Sequence, residues 1–147
     1  MILLLAVCAQ AFSKKPAEAG PVDFELILAG QHSRMDTAAV FLVDNQQDWE
    51  QIWQIAQGRI DPLPPVKEVD FTNYSVIAVF RGTKNSGGYS VEIGGIEKSA
   101  NELKVNVVYR NSSGGMVLPV VTSPYQIVRI PKGDYTLNVE YIEKEAQ

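Results

Sequence analysis

A period of two runs through the last third of this chain and constrains its fold more than any other feature. Leu103, Val105, Val107 and Tyr109 alternate with Lys104, Asn106 and Arg110; Tyr135, Leu137, Val139 and Tyr141 alternate with Thr136, Asn138 and Glu140. Successive side chains of a strand point to opposite faces, so each run reads as a strand with one face dry and one wet. Tyr74 to Phe80 is apolar on both faces, as in a strand covered from two sides and central in its sheet. Tyr89 to Ile93 and Gln126 to Ile130 bring the strand candidates of this half to five. Phe24 to Ala29 and Ala38 to Val43, separated by a polar turn containing Gly30 and Ser33, add two more.

One helix interrupts this series. Trp49, Ile52, Trp53 and Ala56 recur at intervals of three and four while Glu50, Gln51, Gln54 and Gln57 point elsewhere, which is an apolar stripe on a polar rod. Asp44 or Asn45 can cap its first turn, and Gly58 is placed to end it with a positive φ. Two tryptophans on one face predict that the helix covers a core. Asp61-Pro62-Leu63-Pro64-Pro65 follows as a stiff connector, because prolines remove donors and fix φ. The short polar links Ser99 to Glu102 and Lys132 to Asp134 predict hairpins, with neighbouring strands antiparallel, and Gly94-Gly95 predicts a bulge or bend. The expected fold is a mainly β, α+β domain. It has about seven mostly antiparallel strands, forming a sandwich or partly open barrel, with one packed amphipathic helix.

With 147 residues and 46% hydrophobic content the chain suits one domain, expected over residues 24–145. A net charge of −4 and no basic run beyond Lys14-Lys15 argue against a nucleic-acid partner. Residues 1–11 resemble the end of a signal peptide, since the apolar run Ile2 to Val7 precedes Ala9-Gln10-Ala11, which has the small-x-small form of a cleavage site. An apolar N-terminus of a cytosolic protein is the competing reading. The lone cysteine, Cys8, follows Leu5-Ala6-Val7, which is close to a lipobox apart from Val7, so lipidation at Cys8 is the alternative to cleavage after Ala11. Membrane association is expected only through such an anchor. Residues 12–23, with Lys14, Lys15, Pro16, Gly20 and Pro21, read as a flexible tether. The domain itself then contains no cysteine, which excludes an internal disulfide, a thiolate nucleophile and a cysteine metal site.

Catalytic signals are weak. His32 is the single histidine and lies in the polar turn Gln31 to Arg34 with no orienting neighbour in sequence, and no serine stands in a Gly-x-Ser-x-Gly setting. Glu92, Glu97, Glu102 and Glu140 are spread singly, as the wet faces of strands produce. No metal ligand set is visible, so no catalytic residue, metal or cofactor is expected. The loop Gly82 to Gly88 has the glycine spacing of a phosphate loop, but Gly87-Gly88-Tyr89 replaces its Gly-Lys-Ser/Thr and a strand follows instead of a helix.

What remains is a pair of polar, glycine-containing loops. Lys84, Asn85, Ser86, Gly87, Gly88 and Tyr89 form the first; Asn111 to Gly115 begins a second that runs to Thr122, Ser123, Pro124 and Tyr125. Gly-Gly-Tyr before an alternating strand, and Thr-Ser-Pro-Tyr before Ile127-Val128-Arg129-Ile130-Pro131, resemble the C-terminal domain of the PrcB family, as does the Val69-Asp70-Phe71 entry. The resemblance covers roughly the last two thirds of the chain. Asn85-Ser86, where proline and threonine are usual, and Ser112-Ser113, where a proline is expected, depart from the family pattern inside the candidate binding loops. The resemblance implies a non-enzymatic, extracytoplasmic protein-binding domain, an accessory or stabilising subunit of an exported protease or another envelope complex. Its candidate contacts are Lys84 to Tyr89 with Ser123, Pro124 and Tyr125, and Tyr89 or Tyr125 would serve as anchor. The alternative is a peptidase inhibitor that inserts the end loops of a β domain into a protease cleft. An enzyme of unknown type is a third reading, and for the loop itself the plain alternative is that its glycines merely turn the chain.

Overall fold

The computed structural model describes residues 19–112 and 115–145 of the chain. Chain order gives β1 (Gly20–Pro21), β2 (Glu25–Gly30), β3 (Ala39–Val43), α1 (Gln46–Gln57), β4 (Tyr74–Phe80), β5 (Ser90–Ser99), β6 (Glu102–Asn111), β7 (Tyr125–Pro131) and β8 (Thr136–Glu145). They form two four-stranded sheets, ordered β2-β7-β4-β3 and β1-β5-β6-β8. Neither closes into a barrel, so the fold is a sandwich with a helix on one side.

The both-faced apolar run is explained by this layering. Val76, Ala78 and Phe80 of β4 and Tyr125 and Ile127 of β7 pack with Trp49, Ile52, Trp53 and Ala56 of α1. The opposite faces, Ile77 and Val79 of β4 with Val128 and Ile130 of β7, meet Val91, Ile93, Ile96, Leu103, Val105 and Val107 of the second sheet. The two inner strands of the first sheet therefore sit between two cores, and only continuous apolar sequence satisfies both.

Helix α1 starts where Asn45, in extended conformation, accepts from the Asp48 backbone N–H at 2.9 Å. The Trp49 indole donates to Lys67 O at 2.7 Å and the Trp53 indole to Pro64 O at 2.8 Å, so the buried face of the helix also holds the proline connector. Gly58 departs from expectation: its φ is −68°, and glycine is needed there because a Cβ would collide with Gln54 O and crowd Arg34 Nε at 2.8 Å.

Pairing follows the sequence locally and departs from it at long range. The β5–β6 hairpin forms, with its bulge between Ile93 and Gly95. The expected hairpin at Lys132 to Asp134 does not. Instead β8 crosses to the other sheet and pairs parallel with β6, Leu103 opposite Leu137 and Val107 opposite Tyr141. Likewise β2 and β3 do not pair with each other but flank β7 and β4 on opposite edges. The dry face of β8 explains the choice, since Leu137 and Val139 reach the core between the sheets only from beside β6.

The tether expected over residues 12–23 also needs correcting at its end. Gly20 and Pro21 pair with Lys98 and Glu97, and Val22 N–H donates to Ile96 O at 2.8 Å, so ordered structure begins ahead of Phe24. The cleavage and lipidation sites expected at Ala11 and Cys8 lie outside the described residues.

Candidate functional site

Four connections gather at one end of the sandwich: residues 31–38 between β2 and β3, residues 58–63 after α1, residues 81–89 between β4 and β5, and residues 115–124 before β7. Lys84 and Thr122 exchange both backbone hydrogen bonds, at 2.8 and 2.9 Å, and Thr83 N–H donates to Asp36 O at 3.0 Å. Gly87 N–H donates to Leu118 O at 2.9 Å, and the Thr122 hydroxyl donates to Ser86 O at 3.0 Å. The two glycine loops singled out in sequence therefore touch.

Their glycines are used for close approach. Gly82 has φ +88° and Gly88 φ +86°, values that side chains disfavour, whereas Gly87 does not take a positive φ. A Cβ on Gly82 would lie 2.9 Å from Asp36 O, and one on Gly88 would lie 3.1 Å from both Ser112 Oγ and Val117 Cγ1.

The candidate contact residues divide into two groups. Asn85 and Gly88 are exposed, and Lys84, Ser86, Gly87 and Tyr89 are partly so. Ser123, Pro124 and Tyr125 are buried, which overturns their reading as a contact surface and Tyr125 as an anchor. Tyr125 is 5% exposed, stacks on Phe80 at 6.0 Å and accepts from Gln57 Nε2 at 2.7 Å. Burial raises its phenol pKa, and the Gln57 bond opposes that only in part.

Ser123 is a latch. Met35 N–H donates to Ser33 Oγ at 3.2 Å, the two serine hydroxyls lie 2.7 Å apart, and Ser123 Oγ donates to Met35 O at 2.6 Å. This ring ties the β2–β3 connection to the β6–β7 link. A hydroxyl whose proton is committed to a carbonyl is poorly placed as a nucleophile, and the exposed His32 beside it does not accept that proton.

Sequence reasoning missed Arg81, which closes β4 and is 6% exposed. Its guanidinium donates to Ser90 O at 2.9 Å, to Arg110 O at 2.7 Å and to the Asn111 side-chain oxygen. It lies 4.6 Å from the Tyr109 ring centre and 5.0 Å from that of Tyr89. Burial lowers its pKa, and the negative charge that Tyr109, Glu143 and Tyr89 carry when ionised works the other way; the group stays a cation. Lys84 Nζ is 5.5 Å from the Tyr89 ring centre, so this half-exposed tyrosine has two cations against it. The signal for Arg81 was available: a charged residue directly after a buried apolar run and directly before glycine.

Also missed was the segment Met116 to Val121. Met116, Val117, Leu118, Val120 and Val121 are all exposed beside the first loop. Read as the continuation of a glycine loop, they carry no periodicity that distinguishes an exposed apolar ribbon from a buried one.

Chemically the end offers backbone amides, an aromatic ring between cations and an apolar ribbon. Among the described residues no group of three His, Cys, Asp or Glu side chains is arranged to hold a metal ion, and no helix is long and apolar enough to cross a membrane.

The family comparison falls on the part of the chain that carries the two bridged loops. Residues 75–131 match the family described as PrcB C-terminal, which bears out over that segment the resemblance read from Gly-Gly-Tyr and Thr-Ser-Pro-Tyr. The match runs from β4 to the end of β7, taking in both loops and, of the latch, Ser123 alone. No curated protein and no solved structure matches the chain.

Proposed function

We propose that the domain is a non-enzymatic, extracytoplasmic protein-binding module, an accessory or stabilising subunit of an exported protease or another envelope complex. The observation that carries this reading is the joint surface of Lys84 to Tyr89 and Met116 to Val121, exposed at the end of a rigid sandwich and braced from behind by the Arg81 cluster and the Ser33–Ser123 latch. Rigid scaffolds presenting exposed loops are where recognition surfaces are built. The half-exposed Tyr89 suits an anchor, with large contact area, few rotors and a polar tip. Family resemblance supplies the class of partner, and the signal-like N-terminus supplies the compartment.

The test is capture of envelope proteins by the full chain. K84A/N85A/S86A should weaken capture while leaving the urea midpoint nearly unchanged, because these side chains support few native contacts. Unchanged capture removes the loop from the interface. A captured protease whose turnover is blocked at its active site would replace the accessory role with inhibition.

A further inference from the structure

A second feature of the same end lies beside the serine latch. Arg34, Gln54, Gly58, Arg59, Ile60, Asp61 and Leu63 line an open groove of about 580 Å³ where α1 runs into the proline connector. Arg59 Nε donates to Ser33 O at 2.8 Å, which fixes one side of that guanidinium and leaves its terminal nitrogens for a ligand. Arg34 lies against the end of the helix in space that exists only because residue 58 has no Cβ. Ile60 and Leu63 are exposed in the same groove.

Three cations of the strands have carboxylate partners among the described residues, and these two arginines do not. Lys104 pairs with Glu140 at 3.3 Å, Arg110 with Glu92 at 2.8 Å, and Arg129 with Glu25. Among the described residues no carboxylate, that of Asp61 in the same groove included, comes within ion-pair distance of Arg34 or Arg59. In a chain of net charge −4, two guanidinium groups and the single carboxylate of Asp61 give this groove a local reversal of sign. Planar guanidinium forks match carboxylates in bidentate geometry, and the neighbouring aliphatic side chains favour a ligand with an apolar residue next to its acid.

We infer that this groove binds a carboxylate of an acidic, leucine-like stretch of a protein partner, with Arg34 and Arg59 as the two forks and Ile60 and Leu63 receiving the aliphatic neighbour. The inference rests on the reading of this end as the partner surface and adds the partner's chemistry.

The test is a titration of the isotope-labelled full chain with a capped peptide of leucine, two glutamates and leucine, against its glutamine counterpart, following the arginine Nε–Hε signals. The acidic peptide should shift Arg34 and Arg59 with a dissociation constant on the order of 1 mM, weakening as salt rises. Binding should fall at least about tenfold for the glutamine peptide and in R34Q/R59Q, yet persist in K84A/N85A/S86A. Equal shifts from both peptides, or none at Arg34 and Arg59, overturn the inference. So does a large stability loss in R34Q/R59Q with no peptide response in the wild type, which would assign the arginines to the carbonyls at the helix end. An intact peptide response in a chain that captures no envelope protein would sink the partner surface and leave the groove standing. Partner capture unaffected by R34Q/R59Q would do the reverse.

Discussion

At the residue scale, two positions show how burial changes the meaning of a side chain. Tyr125 has the look of an exposed anchor in a Ser-Pro-Tyr loop, yet its ring completes the core beneath α1 and its hydroxyl meets Gln57. Tyr125→Phe strands the Gln57 amide and should cost about 1–3 kcal/mol in urea unfolding. Tyr109, Tyr125 and Tyr135 all have phenol pKa values raised above the ordinary 10.0, with burial the main cause in each. The unfolded chain therefore releases these protons first. The stability these phenols contribute is fully present below about pH 10 and is lost as pH rises through the folded values, and Y125F should flatten part of that decline. Urea midpoints at a series of alkaline pH values check this; an unchanged slope in Y125F would contradict it. Arg81 tests the same principle for a cation. Arg81→Lys keeps the charge but loses the fork that reaches Ser90, Arg110 and Asn111, so it should cost about 2–4 kcal/mol, while Lys84→Ala should stay within about 0.5 kcal/mol. Equal midpoints would mean the guanidinium geometry is immaterial.

At the element scale, α1 joins three parts of the molecule. Its tryptophans pack edge to face at 5.7 Å, cover β4 and β7, and hold the connector through their indole N–H groups. Trp53→Ala loses ring burial and the bond to Pro64 O together, and should destabilise by about 3–5 kcal/mol, whereas the exposed Gln54→Ala should change stability by no more than about 0.5 kcal/mol. Coincident urea midpoints for the two variants would show that the helical face is wrongly assigned. The helix and its caps were legible because everything that specifies them lies within about fifteen residues: the stripe, the Asn45 cap and the glycine stop. Only the reason for Gly58 differed: a Cβ there would collide with the Gln54 carbonyl oxygen and also crowd Arg34, which is far away in sequence.

Across the whole molecule, stability should grade from the doubly covered strands outward. Ile77, Val79, Ile127 and Val128 have no solvent exposure, while β8 pairs on one side only and its end from Tyr141 to Glu145 is exposed. Amide hydrogen exchange should be slowest in β4 and β7, near the limit set by global unfolding, and fastest at Glu143 to Glu145. Protection at the end of β8 equal to that of β4 would mean that its free edge is covered in solution. Among the described residues the ion pairs lie on the strands, and Arg34 and Arg59 at the loop end have none.

By itself the sequence determined the strands, the helix, the burial of β4 on both faces and the family pattern. Each of these depends on periodicity or turn chemistry over a few residues, which the order of side chains carries directly. Tertiary structure decided the partners. Whether β8 would fold back on β7 or cross to lie parallel with β6 turned on which position let Leu137 and Val139 reach the core between the sheets, a property of packed layers and not of a turn. The site divided in the same way: Lys84 to Tyr89 could be located from its glycines, but the burial of Tyr125, the serine latch and the sharing of one groove by Arg34 and Arg59 depend on chain segments that become neighbours only when the two sheets and the helix close around their cores.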